Sequence, residues 1–148
     1  SCSEETLEPA RSSEFMKWRF FDAPRQYGVY VSREHGLSLL LVVRGVSFQG
    51  MRLLLLVDHR FPMGKTESLD IILQAAKSLS SAAGLDGVVT ASTYLPHEEP
   101  LKREHFIATG KPSSVIAYLP SVDFSPAVTS IHLTVADSDL DFSFGDDR

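Results

Sequence analysis

The sequence predicts a mixed α/β protein, a sheet with helices packed on its faces. Three features predict it. Leu53-Leu54-Leu55-Leu56-Val57 is apolar without alternation, the pattern of a strand covered on both sides. A helix-period segment follows at once: Leu69, Ile72, Leu73, Ala76, Leu79 and Ala83 fall on one face, with Thr66 placed to cap its start and Gly84 its end. A short apolar run, Val88-Val89, comes next, so residues 53–92 read as a right-handed strand–helix–strand crossover with parallel strands.

The elements follow in chain order. Ser1–Ser12 is polar and aperiodic and reads as a linker or frayed end. Ser12-Ser13-Glu14 offers caps for a short helix through Phe15, Met16, Trp18 and Phe20, with Trp18 read as core. Asp22-Ala23-Pro24 ends it, because the residue before proline is pushed out of the helical region. Tyr27–Ser32 and Leu37–Arg44 are expected strands, joined as a hairpin through Arg33-Glu34-His35-Gly36. A loop around Gly45–Gly50 leads into the Met51–Val57 strand. Beyond the long helix, Asp86–Thr93 holds a strand and Glu98–Phe106 a shorter helix with Leu101 and Phe106 inward. Ser113–Leu119 and Ala127–Val135 read as closing strands, and Asp137–Arg148 as a solvated acidic tail. The domain proper is thus expected over residues 13–136.

Composition narrows the function classes. The chain has 148 residues, 43% hydrophobic and 22% charged, which suits one globular domain. Fourteen basic against nineteen acidic residues give a net charge of −5, so nucleic acid is not an expected partner. No apolar run reaches the ~20 residues of a membrane helix. The single cysteine, Cys2, forms no internal disulfide, which favours a reducing, cytoplasmic setting. A start at Ser1 suggests a piece of something longer.

Phe15-Met16-Lys17-Trp18-Arg19-Phe20, then Pro24-Arg25 and Tyr27-Gly28-Val29-Tyr30, resembles a pattern of the GNAT acetyltransferase superfamily, in which a Trp-Arg-aromatic helix and a proline precede the central hairpin. The order of the later elements is similar to the GNAT core. Leu101-Lys102-Arg103-Glu104-His105-Phe106 stands where that fold often has Leu-x-x-x-Gly-Phe, with His105 for the glycine, and Leu133–Asp139 resembles the close of the same subgroup. The resemblance covers about Glu14 to Asp141. It implies a GNAT-like sheet, acetyl-CoA as cosubstrate, and acetyl transfer to an amine on a small-molecule or other acceptor.

Three departures accompany it. The phosphate-binding loop of the family, Arg/Gln-x-x-Gly-x-Gly/Ala, is matched by Arg60-Phe61-Pro62-Met63-Gly64-Lys65-Thr66, which has one glycine. The Tyr that many members use as general acid on the short helix is Leu101 here. The family's first strand and helix have no counterpart in residues 1–12. Without them the Tyr27–Ser32 strand is expected as an unpaired edge, completed by a second copy or partner domain, by a lost N-terminal segment, or not at all. These departures favour the alternative function, a GNAT-like module that binds or scaffolds without catalysis.

Within that reading the site residues follow from what acyl transfer requires. Free amides at a helix start attract phosphate oxygens, so Met63, Gly64, Lys65 and Thr66 ahead of the long helix are the expected pyrophosphate loop, although a plain helix cap uses the same groups. The resemblance puts the polarising backbone amide near Leu56, Val57 and Asp58. Acetyl-CoA is expected across the mouth between them and Thr93-Tyr94. Ligands gather beyond the carboxyl ends of such strands, which makes Tyr94, His97 and Glu98 the candidate catalytic residues, with Asp58 and His59 on the neighbouring strand. Histidine is the side chain that ordinarily changes charge near neutrality, which makes His97 an expected base, and Glu98 is expected to serve as a base for an ammonium if partly buried. Beside this stands the plainer account that Glu98 and Glu99 suit the dipole of a helix starting after Pro96.

Other chemistries find no support. Gly64-Lys65-Thr66 echoes a P-loop, but His59 occupies its first glycine position. The histidines at 35, 59, 97, 105 and 132 lack zinc spacing. Asp137-Ser138-Asp139 starts like a calcium loop, yet Phe142 replaces its turn glycine. No Gly-x-Ser-x-Gly is present.

Overall fold

A computed structural model describes residues 5–7, 10–34, 37–61, 67–91, 98–107, 128–131, 134–137 and 145–146. Along the chain these form β1 (Glu5–Leu7), α1 (Ser13–Met16) continued by a π-helical turn (Lys17–Phe21), β2 (Gly28–Glu34), β3 (Leu37–Phe48) and β4 (Met51–Arg60). There follow α2 (Glu67–Ala82), β5 (Gly87–Thr90), α3 (Glu98–Arg103), β6 (Val128–Ile131), a 3-10 turn (Val135–Asp137) and β7 (Gly145–Asp146). The central sheet runs β2-β3-β4-β5. Its first two pairings are antiparallel and β4–β5 is parallel, so the expected mixed sheet is present. The expected strand over 113–119 lies outside the described residues.

The β2–β3 pairing runs from Gly28↔Val43 to Glu34↔Leu37, as a hairpin there requires. The next hairpin is longer than expected. Instead of a loop over Gly45–Gly50, β3 continues to Phe48 and turns at Gln49-Gly50, both left-handed at φ 50 and 80. Val46 fits this: the residue is fully buried beside Val42, and continued strand geometry puts both on one face of the sheet. A Cβ at Gly50 would meet nothing within 4 Å, so its substitution tests backbone strain alone. Gly50→Ala is expected to cost about 1–2 kcal/mol in a denaturant titration.

The sheet buries both faces. On one, Leu41, Val43, Leu54 and Leu56 pack under Leu69, Ile72, Leu73 and Ala76 of α2, the stripe expected from its period. Ala83, assigned to that stripe, is exposed just past the helix end. Gly84 is left-handed at φ 66, and the Leu85 and Gly84 amides donate to the Ser80 and Ser81 carbonyls, closing the helix as a Schellman motif.

On the other face Val42, Val46, Leu53, Leu55 and Val57 meet Phe20, Val135 and Ala136. Ser12 caps α1 through its Oγ, which accepts from the Phe15 amide at 3.1 Å. Trp18, however, is 67% exposed, while Arg19 and Phe20 are buried. The helix puts Phe15, Met16, Arg19 and Phe20 on the sheet side, an i, i+1, i+4, i+5 stripe that turns Trp18 and Phe21 outward. Tryptophan's size suggested the core; register decided otherwise.

The far segments also differ from expectation. The Ala127–Val135 strand is shorter, Val128–Ile131, and pairs in parallel with Glu5–Leu7 rather than joining the central sheet. Residues 1–12, expected as a linker, thus contribute β1. Within the expected acidic tail, Gly145 and Asp146 pair with Ser47 and Val46, on the part of β3 that lies beyond its register with β2.

Candidate functional site

The expected site begins where β4 outruns its parallel neighbour. The β4–β5 register ends at Leu56↔Thr90, while β4 continues to Arg60. Just past that point β4 bulges, since Val42 pairs with Asp58 but Val43 with Leu56. Val57 is therefore left out of both neighbours' registers. A bulge re-aims side chains, and here it resets the alternation. Leu53, Leu55 and Val57 share the Phe20 side, and Asp58 turns to that side as well, reaching Thr134 next to buried Val135. His59 falls on the α2 side, 1% exposed, its ring stacked on Phe61 at 6.5 Å between centroids.

Asp58 is fully buried at the centre of a polar cluster. Arg11 Nε donates to Oδ2 at 2.6 Å and Nη2 to Oδ1 at 3.2 Å, a two-point fork on the carboxylate. Thr134 Oγ1 donates to Oδ1 at 2.8 Å, and the His59 amide to the same oxygen at 3.1 Å. Arg60 Nη2 stands 3.8 Å from Oδ1. A second buried guanidinium lies nearby in the chain: Arg19 Nη1 donates to the Tyr27 hydroxyl at 3.0 Å, and Nε points to the Ala136 carbonyl at 3.5 Å.

Opposite, α3 is fastened to α2. Lys77 and Gln74 donate to Glu104 at 3.0 and 3.2 Å, and Arg103 donates to Asp70 at 2.9 Å. The Lys77 hydrogen bond, helped by Gln74, holds the Glu104 carboxyl below the usual carboxylate range. Leu101 and Phe106 pack against the α2-side core, as expected. His105 has φ 65, and the Phe106 and His105 amides close the helix onto the Leu101 and Lys102 carbonyls. The residue standing where the resembled motif has glycine thus adopts the conformation that favours glycine.

The candidate residues are distributed as follows. Leu56, Val57 and Asp58 stand together at the bulged strand end. Glu98 opens α3 exposed rather than partly buried, with Lys102 Nζ 3.8 Å from its carboxylate. Tyr94, His97, Met63, Gly64, Lys65 and Thr66 lie outside the described residues. Arg11 and Thr134 escaped the sequence reading, because their common partner is 47 and 76 positions away. Among the described residues no group of three or more His, Cys, Asp or Glu could hold a metal ion. No described helix is long and apolar enough to cross a membrane. Comparison of the chain with protein-family models, curated proteins and solved structures finds no match.

Proposed function

We propose that this is an acyl-CoA-dependent N-acetyltransferase domain of GNAT type, transferring an acetyl group to an amine. The observation that carries the reading is the bulged end of β4. Val57 stands outside both registers at the point where β4 and β5 part, and there a backbone amide is needed to polarise a thioester carbonyl. The left-handed His105 after Leu101 adds support, since it reproduces the backbone of the resembled Gly-Phe ending.

In this mechanism the amine nitrogen attacks the thioester carbon, the β4 amide stabilises the oxyanion, and the thiolate leaves as the carbonyl re-forms. The pyrophosphate is assigned to Met63, Gly64, Lys65 and Thr66 ahead of α2. Ser68, fully buried in the first turn of α2 with an unpartnered Oγ, suits an approaching ligand there. Removal of the ammonium proton before attack is assigned to His97; Tyr94 is assigned the proton given to the leaving sulfur, and is reprotonated by the proton that the attacking nitrogen loses as it becomes the amide. Glu98 takes the base role only if substrate shields it from water.

The second reading, a non-catalytic GNAT-like binding module, is favoured by the carboxylates. Asp58 is held by Arg11 and Glu98 pairs with Lys102, while Leu101 occupies the place of the general-acid Tyr.

A thermal shift with acetyl-CoA separates these readings. A ligand that binds only the folded chain stabilises it by about 2.7 kcal/mol at one hundred times its dissociation constant, so the melting temperature is expected to rise. No shift at millimolar acetyl-CoA rejects acyl transfer. Gly64→Val is expected to abolish the shift by blocking backbone approach; an undiminished shift means the pyrophosphate is held elsewhere. A shift without turnover on any amine panel selects the binding module.

A further inference from the structure

We propose that Asp58 is a positioning residue for the bulge in β4, its carboxylate holding the backbone from Val57 to His59 in one shape. That shape stands on the strand registers and hydrogen bonds. Only its purpose, aiming an amide at a thioester carbonyl, rests on the acyl-transfer reading.

A bulge needs something to hold it, because the regular ladder is always one residue away. Without it Val42 would pair with Val57, and every later residue of β4 would change face. Asp58 and Arg60 would fall on the α2 side, Asp58 directly opposite Leu41, and His59 and Phe61 would leave that side. Phe61 is buried in the α2-side core with His59 stacked on it, so burial opposes the slip from one face. Asp58 opposes it from the other. There the carboxylate meets Arg11 Nε at 2.6 Å and Thr134 Oγ1 at 2.8 Å, and a slip would carry the charge away from both into apolar surroundings. β5 gives no support at this point, since its register with β4 stops at Leu56↔Thr90.

One contact is aimed at the main chain itself. Asp58 Oδ1 accepts from the amide of the next residue, His59, at 3.1 Å. The carboxylate thus closes a small ring with its own backbone and fixes the peptide that follows the unregistered Val57. Arg11 and Thr134 hold the carboxylate, and the carboxylate holds the strand. A donor fixed in advance costs no rearrangement when charge develops on the carbonyl oxygen. The rigidity of this peptide therefore bears on the rate of transfer and little on how tightly the cosubstrate is held.

Two variants that share Arg11→Met isolate the carboxylate oxygen. Arg11→Met/Asp58→Asn keeps an acceptor for the His59 amide, and Arg11→Met/Asp58→Leu has none. Residue-by-residue amide hydrogen exchange is expected to be at least about tenfold faster at Val57, Asp58 and His59 positions in the leucine variant, with Val42 and Leu55 alike in both. In acetyl transfer from acetyl-CoA to an amine, the asparagine variant is expected to show at least about tenfold the kcat of the leucine variant, with acetyl-CoA KM values within about threefold. Equal exchange at positions 57–59 in the two variants overturns the proposal, and so does equal kcat. An unaltered chain that acetylates no amine rejects the acyl-transfer reading instead, and the exchange comparison still judges Asp58. Should either variant not fold, the unaltered protein decides: its His59 amide is expected to exchange as slowly as those of Val42 and Leu55, and fast exchange there overturns the proposal.

Discussion

Replacing Arg11 with methionine is expected to lower the unfolding free energy by up to about 3–5 kcal/mol, the cost of stranding a buried charge. The side chain packs well enough for methionine to fill its place, since its guanidinium lies 4.8 Å from the centre of the Phe15 ring and its stem is covered. What methionine cannot supply is the fork on Asp58. Exchanging the carboxylate together with Arg11 and Thr134 for apolar groups should behave differently. Arg11→Met combined with Asp58→Leu and Thr134→Val removes the stranded carboxylate together with two of its partners, Arg60 and the His59 amide staying in place, and such replacements are often neutral. Recovery of most of the lost stability in the triple variant, by denaturant titration, is the expected result. A triple variant as unstable as Arg11→Met alone would show that Asp58 serves the fold in some way other than as a buried ion.

Phe20→Ala is expected to cost about 3–5 kcal/mol, while Trp18→Ala costs under about 1 kcal/mol. Both are large aromatics two positions apart in the same helical segment. Phe20 is 3% exposed, with Phe15 and Tyr27 edge-on at 6.2 and 5.2 Å. Trp18 touches Phe15 only at its edge, 6.0 Å between centroids, with most of its surface in water. Thermal or denaturant unfolding of the two variants distinguishes the registers directly. A larger loss at Trp18 would place the helix on its other face and break the Phe15-Met16-Arg19-Phe20 stripe.

The two cases show where sequence patterns hold and where they stop. Period, with Gly84 as the stop, located α2 because Leu69, Ile72, Leu73 and Ala76 repeat at helical spacing over about two turns. In the short N-terminal helix the same logic had too few residues to fix the register, and side-chain size filled the gap wrongly. At Gly45 a glycine suggested a loop, whereas its neighbour Val46 needed the strand to continue. Turn chemistry was legible at Gly50 and Gly84, because positive φ is a local property of the backbone.

The candidate site divides in the same manner. That β4 is a strand buried on both faces was readable from its unbroken apolar run, but its end was not: expected at Val57, it continues to Arg60, still paired with β3. The bulge at Val57 left no mark, since it arises from a register slip between β3 and β4 that no single strand encodes. Nor did the burial of Asp58. A carboxylate after an apolar strand looks like a solvated strand end until a guanidinium from a distant segment arrives to neutralise it.

Alone, then, the sequence determined the class of the fold: a mixed sheet, a buried central strand, a crossover helix with its stop, and a short second helix pointing Leu101 and Phe106 inward. These are consequences of periodicity and backbone preference, which act within a few residues. Tertiary structure alone decided which aromatic enters the core, how far β3 runs, that β6 pairs with β1, and that Arg11 and Thr134 converge on Asp58. Each of those is a contact between segments far apart in the chain, and its energy comes from burying a group whose partner the local sequence does not contain.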